Sequence, residues 1–179
     1  IVEDGWRRGG TPTFAAVQAH RLGFTVGGVT RTAGDVDLPS LLPFAQIADA
    51  GSAVTTTFQN TYRGGQRTQH IRAVASPIGP ADVPEAWRAA QIVLLGPVFG
   101  EIAPGFAATF ARESLIGVSA QGWLRSADAE ERVQHTPWQG EPFWSNCDVL
   151  FVSDEDLSDG PAELERWTAG VPVVAMTES

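Results

Sequence analysis

The sequence contains no lysine; all twelve of its basic residues are arginine. Schiff-base chemistry on a lysine is therefore excluded, and so is a Walker-type phosphate loop, whose lysine reaches the phosphates. Cysteine is nearly absent too. The single Cys147 allows neither an internal disulfide nor a cysteine zinc site, which predicts a reducing compartment, the cytoplasm. Positive charge is scarce: 21 acidic residues against 12 basic ones leave a net charge of -9. Such a balance argues against nucleic acid and membrane surfaces as partners. No apolar run reaches membrane-spanning length, and no signal peptide is visible. The three histidines, His20, His70 and His135, show no metal-ligand spacing. What remains is 179 residues at 43% hydrophobic, enough for one domain with a real core.

The chain is organised around Ile92-Val93-Leu94-Leu95, which runs into Gly96-Pro97-Val98-Phe99-Gly100-Glu101-Ile102. Four consecutive apolar residues predict a central parallel strand covered on both faces, and the Gly/Pro loop falls where such sheets place ligands. Further strands are predicted at 25–30, 115–120, 148–152 and 173–177. Helices are predicted from Thr11 to Gly23, with Thr11 as cap and Phe14, Val17 and Leu22 as the apolar stripe, and at 39–47, 82–90, 103–113 and 154–169. Residues 54–74 differ in texture. Two runs of strand formers flank Gly64-Gly65 and predict a polar-faced antiparallel pair at an edge or over a site. Residues 126–144, with Trp138, Phe143 and Trp144, read as a long loop or small hairpin. The pattern is α/β.

Four places carry chemistry. Gly9-Gly10 before the first helix either lets a polyol or anion approach backbone N–H groups or is a plain turn. In Gln121-Gly122-Trp123-Leu124-Arg125, Arg125 either binds an anion or makes a structural ion pair, and Trp123 either stacks on a ligand or roofs the core. Ser153-Asp154-Glu155-Asp156 is a natural helix start; the alternative is a carboxylate holding a magnesium-bound water near phosphates. Asp35 and Asp37 read as turn residues, and Cys147 as a core residue rather than a nucleophile.

Taken together, Gly9-Gly10 followed by Arg21-Leu22-Gly23, the 54–74 strand pair, the Gly96–Ile102 loop, Gln121–Arg125 and Ser153–Asp156 resemble the PfkB, or ribokinase-like, carbohydrate kinases, in a subgroup similar to myo-inositol kinases. The resemblance implies a ribokinase-like, Rossmann-type three-layer α/β/α sandwich over 1–179, incomplete, with 54–74 as its β lid. It implies ATP-dependent phosphorylation of a sugar or polyol hydroxyl, with ATP and Mg2+ as cofactors and a homodimer through the lid. It places substrate contacts at Gly9, Gly10, Asn60, Arg67, Glu101, Gln121 and Arg125, with Tyr62 beside them on the lid. The cofactor falls to Ser153 and Asp156, and the metal to Asp156. Two positions depart from the family pattern: Phe14 stands where an asparagine binds substrate hydroxyls, and Ser153 replaces the asparagine of Asn-x-x-Glu.

The family's Gly-Ala-Gly-Asp segment, which supplies the anion hole and the base, does not occur in the sequence. The chain starts at Ile1 and stops at Ser179 straight after a predicted strand, so it reads as a fragment. No catalytic residue is assigned, and these 179 residues alone are expected to show no significant turnover. The competing reading is a noncatalytic sugar- or nucleotide-binding domain, or a degenerate kinase kept as an interaction module. A dehydrogenase is a weaker third, because the dinucleotide fingerprint is missing.

Overall fold

Four parallel strands form the main sheet, in the order β10-β9-β6-β5: β5 (Ile92–Leu95), β6 (Leu115–Ser119), β9 (Val149–Ser153) and β10 (Val173–Thr177). The computed structural model describes residues 9–103, 105–137, 145–157 and 160–178. Alternation along each strand sends Val93, Leu95, Ile116, Val118, Leu150 and Val152 into one core. Trp167 of helix α3 (Gly160–Gly170) is 0% exposed and closes that core from one side. The other face of the sheet carries Ile92, Leu115, Phe151 and Val173, exposed by 41–54%. The β5 strand was expected at the centre; within this sheet it is an edge, which is why Ile92 is exposed while Val93 is buried.

A second parallel pair joins β1 (Val26–Thr30) to β2 (Ala45–Asp49). The sequence predicts a helix over 39–47, and only its first part forms. Helix α2 (Leu38–Leu41) is capped by Asp37, whose side chain accepts from the Ser40 N–H, and it stops before Pro43. From Ala45 onward the chain satisfies its backbone groups against β1, so pairing overrides local propensity. The helices expected at 82–90 and 103–113 shrink to 3-10 turns, Pro80–Asp82 with Glu85–Trp87, and Phe106–Thr109. Pro84 explains the first case: it removes a donor and holds Val83 extended (φ -83°, ψ 117°). In the second, Gly105 sits in the left-handed region at φ 82° and starts a new turn.

Helix α1 (Thr11–Arg21) forms as expected, but its cap is Gly10 rather than Thr11. None of its residues is buried; Phe14 is 68% and Leu22 67% exposed, so the expected apolar stripe faces outward. His20 stacks on Phe44 with ring centroids 4.1 Å apart, which makes it a packing residue.

Two antiparallel hairpins stand over the strand ends. The first is β3 (Thr57–Arg63) with β4 (Gln66–Ala73), turning through Gly64 and Gly65, both at positive φ. The second is β7 (Arg125–Ala127) with β8 (Val133–His135). They are stitched together by the Ile71 N–H donating to the Glu131 carbonyl at 2.9 Å, and by an Arg72–Glu131 ion pair. The expectation for 126–144 is thus a hairpin where it is described; Trp138, Phe143 and Trp144 lie outside the described residues.

Cys147 is 5% exposed just before β9, as a core residue should be. Burial, aided by the negative charge of Asp148, pushes its thiol up from 9.0 to about 11. The folded state therefore holds a proton that the unfolded chain releases above pH 9, so this group's contribution to stability falls as pH rises from 9 to 11. Urea unfolding at pH 8.5 and 10.5 should show that fall, and Cys147→Ala should lessen it. Equal pH dependence in the two proteins would refute the assignment.

Candidate functional site

The hairpins and the carboxyl ends of the strands enclose two clefts. The first, about 190 Å3, is lined by Gly9, Gly10, Pro12, Thr13, the Thr30-Arg31-Thr32 end of β1, Thr55, Thr56, Ala75, Ser76, Ile78, Val98 and Glu101. Its lining is more apolar than polar and includes six hydroxyl side chains, those of Thr13, Thr30, Thr32, Thr55, Thr56 and Ser76. The frame around them is tightly bonded. Arg31 forks onto Asp82, donating through Nη2 to Oδ1 at 2.8 Å and to Oδ2 at 2.9 Å, and also donates to the Gly51 carbonyl at 2.8 Å. Its charge is thereby consumed by structure. Asp49 accepts from the Thr32 hydroxyl and from the backbone N–H groups of Thr32 and Gly51. Burial opposes ionisation of Asp49, but these bonds prevail and hold its carboxyl below the usual range. Asp35 accepts from the Thr55 hydroxyl, so it too is a turn fastener.

Glu101 closes this cleft. Its two oxygens accept the backbone N–H groups of Val98 at 2.8 Å and Phe99 at 2.7 Å. The Gly/Pro loop after β5 is thus folded around its own carboxylate. Behind it, Gly122 fits against Pro97 so closely that a Cβ there would lie 2.4 Å from the Pro97 carbonyl carbon. The Trp123 indole N–H donates to the Ile102 carbonyl at 2.8 Å and the ring packs on the core, so Trp123 is a roof rather than a stacking platform.

The second cleft, about 230 Å3, lies between the hairpins and the end of β9. It is lined by Arg67, Gln69, Gln121, Leu124, Arg125, Val133, Gln134, His135, Ser153, Glu155 and Asp156. Arg125 makes no ion pair within 4.0 Å among the described residues. Burial lowers its pKa, the like charge of Arg67 lowers it further, and Asp156 and Glu101 pull the other way. Burial is the largest of these effects, and the two carboxylates offset the repulsion from Arg67, so a bound anion would chiefly relieve the cost of burying the charge. Ser153 and Asp156 form a capping box, but it caps only a three-residue 3-10 turn, Asp154–Asp156; of the helix expected over 154–169, the described α-helix is Gly160–Gly170. The Ser153 hydroxyl accepts the Glu155 N–H at 3.3 Å, and the Asp156 carboxylate accepts the Ser153 N–H, also at 3.3 Å. The His135 ring contacts the Asp156 carbonyl.

The nine residues singled out from the sequence therefore separate. Gly9, Gly10 and Glu101 meet in the first cleft; Arg67, Gln121, Arg125, Ser153 and Asp156 meet in the second. Asn60 lines neither: its Oδ1 accepts from the Gln69 Nε2 at 2.9 Å, so it supports a cleft residue from the neighbouring strand. Tyr62 is 62% exposed near the hairpin tip. Sequence reasoning missed the hydroxyl lining, although the Thr55-Thr56-Thr57 run was its visible trace, and it missed Gln134 and His135, which carry no local signal.

No group of three or more metal-ligating side chains occurs among the described residues. Mg2+ commonly takes only one or two carboxylates, with phosphate oxygens and water completing its shell. The Asp156 carboxylate at the second cleft fits that sparse mode. No helix among the described residues is long and apolar enough to cross a membrane.

No protein-family model matches the chain, and no curated protein matches it. Among solved structures, the chain is similar to a pyrophosphate-dependent kinase in the ribokinase family in complex with sulfate. The TM-score is 0.83 at 19% identity, over 99% of this chain and 69% of that one. It is also similar to a pyrophosphate-dependent ribokinase-family kinase bound to a pyrophosphate analogue and myo-inositol, with a TM-score of 0.77 at 21% identity over 92% of this chain and 62% of that one. A third is a pyrophosphate-dependent myo-inositol-1 kinase converted to a myo-inositol-3 kinase, with a TM-score of 0.77 at 19% identity over 98% and 66%. This chain thus spans about two thirds of their length. The likeness establishes the fold, a ribokinase-like three-layer α/β/α sandwich.

Proposed function

We propose that the chain forms the substrate-holding part of a phosphotransferase that passes a phosphoryl group from a polyphosphate donor to a hydroxyl of a sugar or polyol. The observation that carries this reading is the adjacency of two unlike clefts, one lined with hydroxyls and the other with two arginines. Glu101 borders the first and acts electrostatically on Arg125 of the second. Phosphoryl transfer needs an aligned acceptor and neutralised phosphates more than it needs covalent help.

In this reading the hydroxyls of Thr30, Thr56 and Ser76 and the backbone at Gly9-Gly10 hold the acceptor, the Thr13, Thr32 and Thr55 hydroxyls being donated to the Gly9 carbonyl, Asp49 and Asp35. Arg67 and Arg125 neutralise donor phosphates, and Gln121 and Gln134 orient them through their amides. Asp156 would hold Mg2+, which supplies further charge neutralisation at the phosphates. The family resemblance points to ATP as donor. The pyrophosphate-dependent kinases of the same fold point to inorganic pyrophosphate, and among the described residues no Phe, Tyr or Trp lines the second cleft to stack a base. Pyrophosphate is therefore the preferred donor.

One observation supports the competing reading, a binding module. Both Glu101 oxygens are occupied by backbone N–H groups and Asp82 is paired with Arg31, so neither is poised to deprotonate an acceptor hydroxyl. Calorimetric titration of the 179-residue chain with pyrophosphate, ATP and myo-inositol tests the proposal. Saturable binding of pyrophosphate and of myo-inositol, each unaffected by competition from the other, is expected. Absence of saturable binding for both polyphosphates would sink it.

A further inference from the structure

Phe58 belongs to the lining of neither cleft, yet its ring contacts Arg125, which lines the second, and Phe99, two residues before Glu101 of the first. It sits on β3, opposite Ile71 of β4, where the register shifts. The Arg125 guanidinium lies over its ring, 5.8 Å from the centroid, within the range of a cation–π contact. Phe99 meets the same ring edge-on, at 6.0 Å and 68°. Phe99 in turn is fixed through its N–H to Glu101. One aromatic ring thus touches the arginine of the anion cleft and the loop that closes the hydroxyl-lined cleft. A guanidinium with no carboxylate fork has many rotamers to choose from, and an aromatic face beneath it restricts them.

We propose that Phe58 is a positioning residue: its ring holds the Arg125 guanidinium in its anion-binding pose and couples that pose to the Phe99–Glu101 loop. The proposal rests on the reading of the second cleft as an anion site. It makes the β3–β4 hairpin more than a cover, because displacing the hairpin removes the surface on which Arg125 rests. Phe58→Leu removes the π face while keeping an apolar side chain, and Phe58→Trp keeps the face.

The test has two readouts. In the first, pyrophosphate is titrated calorimetrically into wild type, Phe58→Leu, Phe58→Trp, Arg125→Ala and the Phe58→Leu/Arg125→Ala double variant. Phe58→Leu should weaken binding about three- to fivefold, the size of a cation–π contact at a partly exposed site. Phe58→Trp should bind like wild type, and the double variant no more weakly than Arg125→Ala alone. An equal further loss in the Arg125→Ala background would mean that Phe58 acts through general packing, and the proposal would fall. In the second, the Arg125 Nε–H resonance is followed without ligand. It should be displaced by the aromatic ring in wild type and Phe58→Trp, and return to an ordinary position in Phe58→Leu. An unchanged resonance in Phe58→Leu would overturn the proposal even if the affinities moved. If wild type bound no pyrophosphate, the anion-site reading would fail, and the resonance would still decide the role of Phe58.

Discussion

Arg125→Ala is expected to weaken pyrophosphate binding by about 10- to 100-fold, the effect of losing charge-assisted hydrogen bonds worth roughly 1.5–3 kcal/mol. Arg125 is the half-buried one of the two cleft arginines, whereas Arg67 is exposed. Its charge is therefore less screened by water and should count for more. Burial disfavours its charge in the empty protein, and Asp156 and Glu101 offset the repulsion from Arg67, so the cost that a bound anion relieves is chiefly that of burial. Arg125→Lys should recover only part of the loss, because an ammonium cannot grip two phosphate oxygens as a fork does. Affinity of the wild type should fall with added salt. Arg112→Ala, an exposed arginine outside both clefts, is the control and should bind normally. Calorimetric titration at fixed ionic strength reads the three variants, and repeating the wild-type titration at raised salt reads the screening. Equal affinities for Arg125→Ala and Arg112→Ala would remove the second cleft from the functional site.

Gly122→Ala should cost stability and binding together. The added methyl would lie 2.4 Å from both the carbonyl carbon and oxygen of Pro97, and 2.7 Å from its Cβ. Those opposing atoms are backbone and a proline ring, so no flexible side chain can swing aside. Overpacking of this kind costs about 1–3 kcal/mol, and the backbone clash places Gly122→Ala near the upper end. That corresponds to a fall of roughly 6–12 °C in Tm for a domain of this size. The nearest relief is to push the Gly96–Glu101 loop away from the Gln121 turn. Because Glu101 closes one cleft and Gln121 lines the other, both myo-inositol and pyrophosphate affinity should drop. Gly79→Ala is the matched control: its φ is -114° and the nearest atom to an added Cβ is 4.0 Å away. Urea unfolding and calorimetry on both variants decide the matter. A Gly122→Ala protein as stable as Gly79→Ala would refute the close packing of these two turns.

Much of this site could be read locally. The runs of strand formers within 54–74 around Gly64-Gly65 specified a hairpin, which forms over Thr57–Arg63 and Gln66–Ala73, because strand composition and turn chemistry are properties of neighbouring residues. Ser153 was recognisable as a cap for the same reason, and the capping box with Asp156 forms, but it opens a 3-10 turn over Asp154–Asp156 rather than the long helix expected. The loop after β5 was recognisable as a ligand-side loop from its Gly/Pro composition and its place after an apolar run. By contrast, residues 45–47 looked helical because their window was read alone; only the presence of β1 beside them makes them part of the strand Ala45–Asp49. The stripe of α1 misled in the same way, since periodicity reports which residues share a face and not whether anything covers that face.

The sequence by itself determined the α/β class, the hairpin, the absence of lysine, cysteine-disulfide and clustered-histidine chemistry, and five of the residues that line the second cleft, Arg67, Gln121, Arg125, Ser153 and Asp156. These follow from composition and from spacing along the chain. Only the tertiary structure decided that those residues divide between two clefts, that β5 is a sheet edge, that Asn60 supports Gln69, and that Phe58 lies under Arg125. Each of these is a distance between residues far apart in sequence, set by strand order and register, which no local pattern encodes.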